Sequence, residues 1–229
     1  PSSDVDMMVL HAGKIDPFVF FDQNAAADDE SLRFLNNAFV HNPLLDSGGD
    51  VGADAYGFSR GIRLAYINEH AKPESWGVSF GVFGSGPGAN FSGSLSRPFV
   101  IAQLETARRL LGGLAGIYRL YAWRNGRATN YDGAQAAHSG VGLSADQRLG
   151  DAVTLFGRYG HQLSGKVRFD RALTAGAEIG GQYWGRSADA VGVAAGVLRT
   201  SAGFRRDSAA VDANDDGTPD FGFAAGASE

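Results

Sequence analysis

Apolar and polar residues alternate with a period of two along most of the chain, and each alternating run has the length of one β-strand. The pattern predicts nine strands, at residues 5–12, 55–68, 75–83, 99–108, 114–124, 138–145, 153–160, 173–184 and 190–199. In the second and third runs one parity holds Tyr56, Phe58, Ile62, Leu64, Tyr66 and Trp76, Val78, Phe80, Val82. The other parity holds Gly57, Ser59, Arg63 and Gly77, Ser79, Gly81. The fourth and fifth runs repeat the split, with Val100, Ala102, Leu104, Tyr118, Leu120 and Ala122 set against Gln103, Glu105, Arg119, Tyr121 and Trp123. One face of each strand suits hydrocarbon and the opposite face suits water.

The connections carry a second rhythm. Short links at 69–74, 109–113, 146–152 and 185–189 alternate with long ones at 13–54, 84–98, 125–137, 161–172 and 200–229. Membrane barrels connect their strands in this way, with tight turns on the periplasmic side of the bilayer and longer loops outside. With the short turns in the periplasm, Tyr66, Trp76 and Tyr183 fall at one membrane border and Phe58, Phe99 and Tyr159 at the other, where amphipathic rings are favoured. Arg108 and Arg124 share the lipid parity but sit at strand ends, within reach of headgroups. Arg60 breaks the pattern, which predicts either a later strand start or a bulge. A soluble all-β sandwich remains the alternative, since it also uses alternation and glycine-rich turns.

Composition narrows the choice. Glycine supplies 33 residues, about twice its usual share, while only 20% of residues are charged, a blend that suits close-packed strands with aromatic borders. The net charge of -5 argues against a nucleic-acid partner. With no cysteine there is neither a disulfide framework nor a thiolate site. The first nine residues show no signal-peptide pattern, and the longest uncharged stretch, 75–96, is interrupted by Gly84, Pro87, Gly88 and Asn90 and cannot cross lipid as a helix. The expected class is therefore all-β, a partial antiparallel transmembrane barrel in which residues 1–229 form a single domain whose N-terminal and C-terminal parts are expected to be incomplete.

Several ordered stretches resemble the carbohydrate-selective porins of Gram-negative outer membranes. Gly13-Lys14-Ile15-Asp16, then Phe20-Phe21-Asp22-Gln23-Asn24, then Phe34-Leu35-Asn36-Asn37-Ala38-Phe39-Val40 and Asn42-Pro43 are similar to that family's N-terminal region. Leu155-Phe156-Gly157-Arg158-Tyr159-Gly160 resembles one of its strand motifs. Gly176 through Gly181, Trp184-Gly185-Arg186, Asp189 and Gly192-Val193-Ala194 resemble the strand, turn and strand that follow. The resemblance implies a barrel of roughly 16 strands around an aqueous channel, of which this chain supplies about nine to ten. Because it ends in Ala224-Ala225-Gly226-Ala227-Ser228-Glu229 and not in a strand with a terminal aromatic, the C-terminal part of the barrel is expected to lie outside this sequence.

A diffusion channel selects by width and by the groups at its narrowest point. Sugar hydroxyls pair with planar Arg, Asp, Glu, Asn and Gln groups, and sugar C–H faces lie on aromatic rings. The predicted lumen face offers Arg63, Gln103, Glu105, Arg119, Tyr121, Trp123, Arg158, Glu178, Gln182 and Trp184, with Arg119, Tyr121 and Trp123 as the leading patch. Those charges can equally neutralise one another on a solvated wall. A helix is predicted at 28–39, capped by Asp28 or Asp29 with Leu32, Leu35 and Phe39 on one face. If its segment folds into the barrel, Asp22, Asn24, Arg33 and Asn36 approach the channel; the alternative is an ordinary outer loop. Asp212, Asn214, Asp216 and Asp220 are spaced as in calcium loops, although Phe223 stands where the bidentate Glu belongs, and a polar surface loop is the competing reading.

No cofactor other than that calcium is suggested. Enzyme motifs do not stand out: there is no His-Glu-x-x-His or phosphate loop, and His11, His41, His70, His138 and His161 are scattered. The expected activity is passive, sugar-selective diffusion, with small sugars and membrane lipid as partners and a homo-oligomer open. Polysaccharide export, uptake of another small solute and a soluble glycan-binding domain are the alternatives.

Overall fold

The computed structural model describes residues 6–46, 57–86 and 93–221. Tyr56 and Phe223, and the C-terminal stretch 224–229, lie outside the described residues. Nine strands form: β1 Asp6–Ile15, β2 Ser59–Asn68, β3 Ser75–Phe83, β4 Phe99–Leu110, β5 Leu114–Thr129, β6 Gln135–Arg148, β7 Val153–Ser164, β8 Phe169–Gly180 and β9 Ala190–Thr200. They hydrogen-bond in sequence order as one antiparallel sheet. A sandwich needs a second sheet against the first. Among the described residues there is none, so the sandwich alternative is overturned.

Register explains the outward face. Leu104 pairs with Leu120, Leu120 with Leu143, Leu143 with Tyr159, Tyr159 with Leu173 and Leu173 with Val197. Leu120 is 50% exposed and Phe80 49%, whereas Arg119 is 6% exposed and Gln103 4%. A continuous apolar row across a whole sheet would be penalised in water and is what lipid requires. Among the described residues no helix is long and apolar enough to cross a membrane.

Several boundaries differ from the alternation reading. The β5–β6 connection shrinks to 130–134 and the β7–β8 connection to 165–168, because the ladders continue past the apolar stretch through Thr129 with Gln135 and Ser139 with Ser164. On the opposite side, residues 111–113 turn with Leu111, Gly112 and Gly113 all at positive φ, at 47°, 80° and 87°, where glycine costs nothing. β8 stops at Gly180, and Gly181–Trp184 forms a 3-10 turn closed by the Gly181 N–H on Asp189 (2.8 Å) and the Arg186 N–H on Gly181 (2.9 Å). Gln182 and Trp184 therefore sit in a turn and not on the lumen wall.

The aromatic borders are corrected in part. Tyr66 and Trp76 meet at 5.4 Å between ring centres on the tight-turn side, as expected. Phe99 instead points inward against Phe83, at 6.4 Å, because it shares the parity of Ile101 and Gln103. Tyr159 stands mid-strand between Leu143 and Leu173, since β7 runs on to Ser164. Arg60 is explained by a later start: β2 opens at Ser59, and Arg60 pairs with Lys14 at the end of the ladder. Arg108 meets Glu74 at 3.1 Å beside a tight turn.

The buried core lies on the inner face. Phe21 and Leu45, from the segment between β1 and β2, pack with Phe83, Phe99, Ile101, Tyr121 and Trp123 of the wall. Ala26 and Ala27 pack with Phe156, flanked by Phe34 and Ala194. The segment between β1 and β2 thus folds against the interior of the sheet, and the apolar effect that fastens it is the usual burial of rings and aliphatic groups.

Candidate functional site

The infolded segment begins after Ile15, the last residue of β1. Asp16 caps a 3-10 turn, Pro17–Val19, by accepting from the Phe18 N–H at 2.8 Å. The chain then delivers Asp22 to the wall with its backbone in the left-handed region, at φ 58°. Aspartate tolerates that conformation better than most residues.

Asp22 is fully buried and is the centre of the docking. The Tyr121 hydroxyl donates to its Oδ1 at 2.7 Å, and Arg158 Nε donates to the same oxygen at 3.2 Å. The Asn42 N–H donates to Oδ2 at 2.5 Å. Its own N–H donates to Gln103 Oε1 at 3.0 Å. Arg158 completes the clamp through Nη2 to the Asp22 carbonyl at 3.0 Å and Nη1 to the Phe39 carbonyl at 2.7 Å. Burial pushes the Asp22 carboxyl up, against the pull of Arg158, Tyr121 and the Asn42 N–H. Gly160 is required here: a Cβ on it would lie 2.4 Å from Asn42 Oδ1, whose side-chain nitrogen is bonded to the Tyr121 hydroxyl at 2.9 Å.

Further along, Asn24 donates to the Ala145 carbonyl at 3.0 Å, and Ser144 Oγ donates to the Gln23 carbonyl at 2.9 Å. The Ala25 N–H donates to Asp146 at 3.3 Å. Arg119, 5% exposed at its side chain, is held between Glu105 (2.6 Å) and Asp146 (3.1 Å). Arg63 donates to Ser79 Oγ at 2.7 Å and lies 4.6 Å over the Phe20 ring. Arg33 forms an ion pair with Glu178 on β8.

The residues singled out for the pore therefore divide into two groups. Gln103, Tyr121 and Arg158 face inward but are sealed beneath the segment they bind, and Arg119 is spent on two carboxylates; that is a correction to the expected sugar patch. Trp123 is buried at the loop end of the sheet. Open to water are Glu105 (side chain 41% exposed), Arg33 (36%) and Glu178 (22%), with Asp28 close by. Asp22 and Asn24 reach the interior as fasteners, and Asn36 caps α1, Asn37–Val40, through the Ala38 N–H.

The predicted 28–39 helix is not formed. Asp29 caps a single turn by accepting from Ser31 and Leu32, and Asn36 then starts the short α1, followed by α2, Pro43–Asp46. Leu32 and Leu35 are exposed at 81% and 90%, so no apolar stripe anchors a longer helix. Phe34 turns to the wall instead, meeting Phe156 at 5.3 Å and Phe39 at 5.9 Å. Nothing in the sequence marks Asp146, Asn42 and Ser144 as docking residues; alternation ends at 145 and leaves Asp146 to a turn, whereas β6 runs on to Arg148 and keeps Asp146 on the inner face.

The acidic loop is organised by its own backbone. Asp212 accepts from the Asp216 and Gly217 N–H groups at 3.1 and 2.8 Å, Asn214 donates to Asp216 at 3.0 Å, and Asp220 accepts from the Ala213 N–H at 2.9 Å. Among the described residues no three His, Cys, Asp or Glu side chains gather to hold a metal.

His41, on the returning limb, stacks on Phe18 at 4.3 Å with Nδ1 buried and unpartnered among the described residues. Burial, with Arg158 nearby, pushes it down to about 4. The unfolded ring, titrating near its ordinary value, binds more protons between there and about pH 6.5, so stability falls as pH drops through that window, by at most ~1.4 kcal/mol per pH unit. The raised Asp22 carboxyl works in the opposite direction near the lower end. His41→Phe is therefore expected to flatten the fall of the melting temperature between pH 6.5 and 4.5; an unchanged slope would place the titration elsewhere.

A family model described as carbohydrate-selective porin, OprB family, matches residues 4–224. A solved structure, the high pH structure of Pseudomonas putida OprB, is similar with a TM-score of 0.70 at 16% identity, over 93% of this chain and 57% of that one. The likeness to that structure is one of fold, and the chain spans little more than half its length. No curated protein sequence matches the chain.

Proposed function

Because the chain belongs to the carbohydrate-selective porin family, we propose that it supplies nine strands of an outer-membrane channel through which small sugars diffuse passively. The observation that carries this reading is the segment 16–46 clamped to the inner wall by Asp22 and Arg158, with Arg33, Glu178 and Glu105 left open to water beside it. A segment fastened inside a barrel narrows it, and charged planar groups at a narrowing pair with hydroxyls as solutes pass. Such a channel needs no bond chemistry; it needs a stable width and weak, exchangeable contacts.

The intact protein in planar bilayers should conduct ions, with glucose and maltose reducing the current as they occupy the narrowing. Glu178→Gln removes a charge-assisted acceptor and should weaken sugar block by about tenfold, the equivalent of one hydrogen bond to a charged group. A protein that inserts but never conducts would end the proposal. Conductance blocked by small anions and indifferent to sugars would replace its substrate class.

A further inference from the structure

A cavity of about 480 Å³ opens at the end of the sheet opposite the tight turns, between α2, the inner face of β5 and β6, and the connections 130–134 and 165–168. Its floor is apolar, made by Leu45, Phe99 and Trp123, and its rim carries Tyr131 and His138. It lies apart in sequence and strand position from the Arg33 and Glu178 pair, which sits near the tight-turn end of β8.

Gln162 gives this cavity its chemistry. The residue is only 9% exposed, and its Nε2 donates to the Ser164 carbonyl at 3.0 Å. A carbonyl cannot accept from a carbonyl, so that bond fixes which end of the amide is which and leaves Oε1 as an acceptor. That oxygen is buried and has no partner among the described residues. Buried acceptors are nearly always paired, and an unpartnered one on a side chain that lines a cavity can take a ligand's donor once the amide swings toward that cavity.

One of the two cations that line the cavity is neutralised. Lys166 is paired with Asp132 at 2.8 Å, and Arg168 lies 5.7 Å from the Phe204 ring on α3, Ala202–Ser208. A ligand with a hydroxyl donor on one edge and a C–H face for an indole ring fits the lining, and the volume is of the order that encloses a small molecule.

We propose that this cavity is an entrance site for a neutral saccharide, separate from the narrowing, where Gln162 Oε1 accepts a sugar hydroxyl and Trp123 supports the ring. The proposal rests on the reading of the chain as a sugar channel. The test uses the intact protein in detergent and in bilayers, with maltose and gluconate as probes. Gln162→Leu should weaken maltose binding, read by quenching of tryptophan fluorescence, by about tenfold, the loss of one well-placed hydrogen bond. Its conductance in sugar-free salt should match the wild type. Crystals soaked in maltose give an outcome independent of any variant: density within hydrogen-bond distance of Gln162 Oε1 supports the site, and density only beside Glu178 overturns it. Gluconate binding more tightly than maltose would also overturn it. A wild-type channel indifferent to every sugar sinks the functional reading itself, whereas normal sugar block with equal maltose binding by Gln162→Leu sinks only the entrance site.

Discussion

Arg158→Met is expected to destabilise the docked segment by about 3–5 kcal/mol and to raise single-channel conductance. The side chains of Arg158 and Asp22 are 1% and 0% exposed, so neither can turn to water when its partner is lost. The guanidinium reaches three oxygens on the segment, two of Asp22 and one of Phe39, and so ties both limbs to β7. Without it the Asp22 carboxylate keeps only Tyr121 and the Asn42 N–H, and the charge stays buried. Escape of the segment into the channel water becomes the cheaper state. Protease cuts within 16–46 should appear in the variant and not in the wild type, and current should grow noisier as well as larger.

The double variant Arg158→Met with Asp22→Asn separates charge from packing. Asparagine tolerates the left-handed backbone at position 22 and removes the stranded charge. Most of the lost stability should therefore return, because burying a neutral amide costs far less than burying an unpaired carboxylate. If the single variant conducts and resists protease like the wild type, the ion pair does not fasten the segment, and the apolar cluster of Phe21, Leu45 and Phe99 must do so alone.

The alternation of Leu104 with Gln103, or of Leu120 with Arg119, was legible because period two follows from strand geometry alone. The structure keeps every one of those face assignments. What occupies the wet face was not legible. Arg158, Gln103 and Tyr121 have the composition of a sugar-binding wall, yet they bind residues 20–42, more than 60 positions away in sequence. A polar side chain that meets a solute and one that meets a loop obey the same hydrogen-bonding rules, so sequence patterning cannot distinguish them. The helix at 28–39 failed for a related reason. Helical spacing of Leu32 and Leu35 implies a partner surface, and only the folded segment reveals that Phe34 and Phe39 took it. Alternation stops where apolar residues stop, whereas the ladder between β5 and β6 persists to Thr129 by backbone bonds that need no apolar side chain.

Leu120→Arg should cost the assembled protein about 2–4 kcal/mol, the penalty for an arginine at the middle of the lipid-facing band. Leu120 lies on the row between Leu104 and Leu143, and its 50% exposure would make it an unremarkable surface site in a soluble protein. There the same change would fall within about 0.5 kcal/mol of neutral. The two solvents thus predict different results for one substitution. Leu149→Arg is the matched control: Leu149 is 45% exposed but stands in the tight turn between β6 and β7, where an added charge meets water or headgroups. Denaturant unfolding from lipid bilayers should shift strongly for the first variant and hardly for the second. Equal shifts would mean that the leucine row does not face hydrocarbon, and the inner face would then lose its claim to be the wall of a channel.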